Sequence, residues 1–137
     1  MRHLILSAVA LATLSACTAG PDNFQRSPKA QQELDRYLQG KVAGTPQSCL
    51  PNYRANDMVV IDERTILFRE GNRVWRNDIV GGCIGLGRPG TALVTRQFGG
   101  SGLCRGEIAQ VVDTSIGTPV GSCALGDFVP FTAPRGG

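Results

Sequence analysis

The sequence predicts a mainly β fold, a small disulfide-bonded antiparallel β-barrel or sandwich of about six strands that is preceded by one amphipathic α-helix. From residue 41 onward, short β-branched and aromatic runs alternate with Gly, Pro, Asn and Asp, which is typical of strands joined by turns. One earlier stretch carries apolar residues at helical spacing, and four cysteines are spread widely through the β-rich part. Because no helical pattern separates the strand-like runs, a barrel or sandwich is favoured over βαβ units.

Residues 1–16 are predicted to be a lipoprotein signal peptide. A short start containing Arg2 is followed by an apolar stretch from Leu4 to Leu14, which is too short to cross a hydrocarbon core of about 30 Å. Residues 14–17 read Leu-Ser-Ala-Cys and resemble a lipobox. We therefore expect cleavage before Cys17 and attachment of fatty acyl groups such as palmitate to it, which would anchor the chain to a bilayer.

The residue after the predicted lipidation site bears on localisation. In Gram-negative lipoproteins, an Asp at this position tends to hold the protein at the inner membrane, and this sequence has Thr18 there. By that resemblance, we expect the periplasmic face of the outer membrane. The alternative is an ordinary secretory signal and a soluble periplasmic or secreted protein.

Charge and histidine content exclude several functions for the expected mature chain. The chain has 14 basic and 11 acidic residues, so loss of Arg2 leaves 13 minus 11, or +2, without any basic run, and no nucleic-acid partner is predicted. The sole histidine, His3, lies in the leader, which excludes Ser-His-Asp and Cys-His catalysis and His-based metal sites. We expect no cofactor, no metal and no enzymatic activity.

A tether and a helix are predicted between the leader and the β-rich part. Residues 17–27 are polar and turn-rich, and are expected to form a flexible tether. Residues 28–40 are expected to form the amphipathic helix, because Ser27 suits an N-cap, Pro28 the first helical position and Gly40 the end. The apolar stripe is expected to pack on the domain, with a partner-binding helix as the alternative. It consists of Ala30, Leu34, Tyr37 and Leu38.

The β-domain is predicted over residues 41–131 and a disordered tail over 132–137. A three-stranded meander is expected first, a glycine-rich loop at 81–90 next, and further strands after it. The predicted strands are 58–61, 65–69 and 73–77 in the meander, then 91–98, 107–113, and one or two within 120–131, interrupted at Gly126.

The four cysteines beyond the leader are expected to form two structural disulfides. They show no CxxC spacing, so neither a zinc knuckle nor a redox pair is supported, and an even set in an oxidising compartment favours pairing. Three pairings are open. We favour Cys83 with Cys104, which would clip the glycine-rich loop, and Cys49 with Cys123, which would tie the start of the domain to its last strand.

Two glycine-rich motifs resemble a dinucleotide-binding site and a catalytic nucleophile site, but both are better explained as loops. Residues 85–90 read GxGxxG, but Pro89 and a predicted strand follow instead of the helix that a dinucleotide site needs. Residues 99–102 read Gly-Gly-Ser-Gly, yet no histidine partner is available for a nucleophile.

Acidic residues cluster near one predicted turn. Asp62 and Glu63 are adjacent, with Asp57 and Asp78 not far along the chain, and paired carboxylates are the groups that glycoside hydrolysis uses. Adjacent turn residues point away from each other, so solvated turn charges are the favoured interpretation.

A set of residues typical of binding interfaces is the candidate recognition surface. Tyr, Trp and Arg dominate the binding energy of many interfaces. For Trp75, a core position between solvent-facing arginines is the favoured interpretation, and a place on the recognition surface is the alternative. The candidates are Tyr53, Trp75, Arg76, Arg96 and Gln97.

Several stretches together resemble a family of small, uncharacterised Gram-negative envelope proteins. The resemblance begins at AGTPQSCL (43–50), includes VID (60–62), TILF (65–68) and WRN (75–77), and ends at LGDFVP (125–130). It implies a secreted or lipid-anchored domain and supplies no catalytic residue.

The expected function is therefore a non-catalytic binding or envelope-maintenance role, with an envelope protein or a peptidoglycan-related molecule as partner. One alternative is an inhibitor of a cell-wall hydrolase, because small disulfide-bonded β-barrel lipoproteins block lysozyme and the loop at 99–102 beside Arg96 would suit an acidic cleft. The second alternative is a periplasmic hydrolase that uses Asp and Glu side chains.

Overall fold

The computed structural model describes residues 23–51, 57–96 and 102–135. Within them the chain forms one α-helix and ten β-strands, so the predicted mainly β fold with a preceding helix is confirmed. The helix of the described part, 11 residues long, is neither long nor apolar enough to span a membrane. The elements are α1 (Pro28–Leu38), β1 (Val42–Ala43), β2 (Cys49–Pro51), β3 (Met58–Asp62), β4 (Thr65–Glu70), β5 (Arg73–Asp78), β6 (Thr91–Thr95), β7 (Gly102–Cys104), β8 (Ile108–Asp113), β9 (Pro119–Ala124) and β10 (Phe128–Thr132).

The described strands pair antiparallel in three sheets. A five-stranded sheet has the order β1-β10-β5-β4-β3, a three-stranded sheet the order β6-β8-β9, and β2 pairs with β7. The predicted meander is present as β3, β4 and β5, paired in sequence order. Isolated bridges join Gln47, just before β2, to Phe128 of β10, and Val80, just after β5, to Ala124 of β9.

The five-stranded sheet forms the central layer. Ile66 and Phe68 of β4 face a core that they share with the two smaller sheets, and Leu67 between them faces α1. Strand alternation therefore supplies two apolar faces from one strand. Because the described strands form three sheets stacked in layers, the arrangement is nearer to the predicted sandwich than to a continuous barrel.

The helix packs on the central sheet through its apolar stripe, as its spacing predicts. Ser27 caps it, since the Ala30 amide donates to Ser27 Oγ at 3.2 Å, and Pro28 occupies the first turn. It ends at Leu38, two residues before the predicted end, and Gly40 turns the chain with φ of +71°. Its partners on the sheet are Val59, Ile61, Leu67, Val74 and Phe131.

The predicted boundaries of the tether and of the tail shift in the structure. The Phe24 ring lies under the Arg64 guanidinium at 4.6 Å, and Arg26 pairs with Asp62. The described end of the predicted tether therefore belongs to the folded domain. At the other end β10 runs to Thr132, which pairs with Val42, so the sheet extends one residue into the predicted tail.

The predicted disulfide pairing is wrong. The structure joins Cys49 to Cys104 and Cys83 to Cys123, with sequence separations of 55 and 40. Cys49 and Cys104 lie directly opposite each other in the β2–β7 ladder. That ladder has only three residue pairs and carries no clear sequence signal, so the closeness of these two cysteines was not foreseen.

A buried asparagine holds the chain between β9 and β10. The Asn77 side chain is fully buried, donates to the Gly126 carbonyl at 2.8 Å, and accepts from the Gly126 amide at 3.1 Å. A weaker bond runs to the Asp127 carbonyl at 3.3 Å. A Cβ at Gly126 would lie 2.1 Å from the Asp78 carbonyl oxygen, so glycine is required there.

Candidate binding surface

An apolar surface beside the sequence-predicted Arg96 lies on the outer face of the three-stranded sheet. In β6, Leu93 packs against the core and Val94 points outward. In β8, Val111 is fully buried, and Ile108, whose side chain points to the opposite face of the strand, is exposed. Val94 and Gln110 are cross-strand partners, so their side chains share one face.

This face contains a shallow concavity of about 320 Å³, which we call the β6–β8 groove. Val94 is 41% and Ile108 59% exposed, so two aliphatic side chains are open to solvent within it. The volume is at the lower end of the range for sites that hold small ligands or single side chains. The lining residues are Val94, Arg96, Glu107, Ile108 and Gln110.

The charged side chains gather at one end of the groove. Arg96 directly follows β6 and Glu107 directly precedes β8, and these antiparallel strands place both residues at the same end of the sheet. Glu107 is fixed there, because its Oε2 accepts from the Cys104 amide at 3.0 Å. The groove therefore combines aliphatic walls with an exposed arginine and an oriented carboxylate.

The groove also borders a sheet edge. Among the described residues, β6 pairs with β8 on one side and is the terminal strand of its sheet. Such a strand presents backbone N–H and C=O groups that another extended chain can use. Only five residues long, β6 is a short edge of the kind that proteins tolerate or use for recognition.

Of the five residues predicted to form a recognition surface, the structure places Arg96 in the groove. Trp75 is 3% exposed, packs in the main core and donates through Nε1 to Glu70 at 2.9 Å, so the favoured core position is correct and the surface alternative is wrong. Arg76 is half-buried on β5, in a different sheet, and pairs with Asp78 at 2.9 Å. Tyr53 and Gln97 lie outside the described residues.

The acidic residues near the β3–β4 turn hold the structure together. Asp62 accepts from Arg26 and from the Arg64 amide, the latter at 2.8 Å. Glu63 accepts from the Gly85 amide at 3.2 Å and lies 3.5 Å from the Arg88 guanidinium. These carboxylates bind different cationic partners, an arrangement that fixes the tether end and the glycine-rich loop to one turn.

The GxGxxG segment is a loop, as predicted. Gly85, Gly87 and Gly90 have φ of +84°, +79° and +78°, values that favour glycine, and Thr91 begins a strand where a dinucleotide site would need a helix. Of the other glycine motif, Gly102 begins β7, and residues 99–101 lie outside the described part. Within the described ranges, no group of three or more His, Cys, Asp or Glu residues is placed to hold a metal ion.

Sequence reasoning missed four lining residues, Val94, Glu107, Ile108 and Gln110. The strands that carry them were predicted, and their alternation was visible. Alternation does not say which face of a strand is covered, because that depends on how the sheets stack.

Comparison with known proteins adds no relative from which a function might be carried over. No known protein family matches this chain, and neither the curated proteins nor the solved structures give a significant match.

Proposed function

We propose that this chain is a lipid-anchored, non-catalytic binding protein at the periplasmic face of the outer membrane, and that the β6–β8 groove receives an extended segment of an envelope protein. The observation that carries the proposal is β6, a terminal strand among the described residues, whose outer edge borders an apolar groove with Arg96 at one end. Anchoring rests on the lipobox-like residues 14–17.

The recognition mode is strand addition. An extended segment beside β6 would form backbone hydrogen bonds with the free edge, which gives affinity for many sequences. Selectivity would come from every second side chain, where an aliphatic group contacts Val94 of β6 and an acidic group pairs with Arg96. The preferred segment is thus extended, aliphatic and acidic.

The cysteine arrangement supports both anchoring and export. Four of the five cysteines form disulfides, which fits an oxidising compartment, and Cys17 is the remaining one. A lone exposed thiol is reactive in such a compartment. Acylation would remove that reactivity and use the odd cysteine.

The ion pairs support a non-catalytic role. A carboxylate-dependent hydrolase needs one carboxylic acid with a raised pKa and a second carboxylate beside it. Asp62 and Glu63 are instead bound to arginines or backbone amides.

A cell-wall hydrolase inhibitor is the second candidate, and Arg96 favours it. This arginine is exposed at the end of an edge strand, where a cationic side chain is able to enter an acidic cleft. Lysozyme inhibition by the protein that falls at least tenfold in Arg96→Glu would support this candidate. Peptidoglycan turnover in a zymogram would contradict both it and the binding role.

Site-specific photocrosslinking in growing cells tests the groove. A photoreactive residue at Val94 should give a discrete adduct with an envelope protein, and Arg96→Glu should weaken that adduct severalfold. The control position is Val42, which is 51% exposed on β1 of another sheet. Equal adducts from both positions would contradict the assignment of the groove.

Metabolic labelling tests the anchor separately. The chain should incorporate a fatty acid, and Cys17→Ser should lose the label and leave the membrane fraction. An unlabelled wild-type chain would contradict lipid anchoring while leaving the crosslinking result interpretable.

A further inference from the structure

We propose that a second apolar surface, formed by Phe24, Val80, Ile84 and Val120 and called here the anchor-side patch, lies against the bilayer that holds the chain. This inference rests on the lipid anchoring proposed above and extends it to the orientation of the domain. The four residues account for half of the eight large apolar side chains that are exposed in the described part.

The patch starts where the described chain begins. The Phe24 ring lies 4.6 Å from the Arg64 guanidinium carbon. Arg64 in turn packs on Gly82, because a Cβ built on Gly82 would lie 3.4 Å from both Cγ and Nε of Arg64. Val80 and Ile84 flank Gly82 by two residues on either side, and they are 67% and 69% exposed.

The patch continues along the outer edge of β9. A Cβ on Gly121 would lie 2.3 Å from the Ile84 carbonyl oxygen, so the backbone at Ile84 rests directly on this strand. A Cβ on Gly85 would lie 3.5 Å from Val120 Cγ2, which places Val120 beside the same segment. The four residues therefore lie on neighbouring segments that run from the helix entry to β9.

Chain length determines which faces of the domain are able to reach the bilayer. Six peptide units join Cys17 to Asn23, and they span at most about 21 Å. A compact domain of about 100 residues has a radius of gyration of about 13 Å, hence a width of roughly 34 Å. The face opposite Asn23 is too far away to touch the bilayer, whereas the face that carries Phe24 is within reach.

The charges around the patch suit a lipid surface. Arg64 stacks on Phe24, and the Arg88 side chain in the glycine-rich loop is 66% exposed, with its guanidinium 3.5 Å from the Glu63 carboxylate. Apolar side chains bordered by arginines are the pattern of proteins that rest on an interface, with the apolar groups among acyl chains and the cations at phosphate level. We therefore assign the bilayer as the occupant of this surface.

Depth-dependent quenching in proteoliposomes tests the orientation. The acylated full-length chain is reconstituted in vesicles of phosphatidylglycerol and phosphatidylcholine, with the phosphatidylcholine brominated on its acyl chains. Ile84→Trp is compared with Val42→Trp, and the emission of the wild type, which carries Trp75, is subtracted from both. Val42, the control position, lies on β1 at one edge of the five-stranded sheet. Four strand spacings, or about 19 Å, separate β1 from β3 at the other edge.

The expected result is that brominated lipid quenches Ile84→Trp at least twice as strongly as Val42→Trp. Adding Val80→Asp to Ile84→Trp should remove most of that difference while vesicle flotation is kept. Both tryptophans are placed at exposed positions, and the two disulfides report folding by non-reducing peptide mapping.

Three outcomes would overturn the inference. Equal quenching at both positions in floating protein refutes the orientation but leaves the anchor intact. A blue-shifted Ile84→Trp emission without quenching shows that protein, a second copy included, covers the patch. Protein that does not float refutes the anchor and the orientation together.

Discussion

Removing the Asn77 side chain should destabilise the domain by about 2 to 6 kcal/mol. In Asn77→Ala, the Gly126 amide and carbonyl lose partners at 3.1 and 2.8 Å inside a buried site. Each buried polar group left without a partner costs about 1 to 3 kcal/mol, and two groups give the range above. Small domains are stable by only about 5 to 15 kcal/mol, so the loss is a large fraction of the total.

Urea unfolding with intact disulfides, followed by the fluorescence of Trp75, measures this change. The midpoint should fall with little change in the slope, because the surface exposed on unfolding is nearly the same. Asn72→Ala, at an exposed position in the β4–β5 turn, is the matched control and should stay within about 0.5 kcal/mol of wild type. A midpoint for Asn77→Ala equal to that of this control would refute the role assigned to the side chain.

Three further substitutions test other contacts. Arg26→Ala breaks a half-buried ion pair and should lower the free energy of unfolding, measured in urea, by about 1 to 3 kcal/mol. Arg36→Ala, whose pair with Glu33 is exposed, is the control and should lower it by at most about 0.5 kcal/mol. Equal losses in the two variants would contradict the contact between Arg26 and the domain. Gly126→Ala should lower the free energy of unfolding by about 3 kcal/mol or more, because the added Cβ would overlap the Asp78 carbonyl oxygen. A urea midpoint equal to that of the wild type would refute this. The hydrogen bonds that Ser115 donates lower the pKa of Asp113 in the folded state. They therefore stabilise the folded state at pH values above the ordinary aspartate pKa, and this stabilisation is lost as the pH falls through the lowered pKa of Asp113. Ser115→Ala should return this pKa toward normal in an NMR titration.

The sequence predicted the elements whose formation depends on residues close together in the chain. The meander from Met58 to Asp78 has alternating apolar residues and turns rich in Asp, Glu, Gly and Asn, so the sequence specifies both strands and connections. The helix was recognisable because Ser27 and Pro28 fix its start and the stripe fixes its buried face.

The elements that sequence reasoning missed depend on contacts between distant residues. β2 and β7 have three residues each and are strands only because they pair across more than 50 positions. The smaller sheets stack on β5 and bury Trp75, as the sequence favoured, but strand alternation alone does not reveal which face of the other strands such stacking covers. The same stacking exposes Val94 and Ile108, so the groove followed from tertiary structure and only Arg96 was expected.

The disulfide connectivity has a consequence for biogenesis. The first cysteine of the domain bonds to the third, and the second to the fourth, so each covalent loop contains one end of the other. If the proposed export proceeds from the amino end, Cys49 meets Cys83 before Cys104 has crossed the membrane. Oxidation at that moment would give a non-native bridge, which thiol–disulfide exchange must then rearrange. Maturation should therefore depend on an isomerising activity in the receiving compartment, and cells that lack one should accumulate the Cys49–Cys83 species.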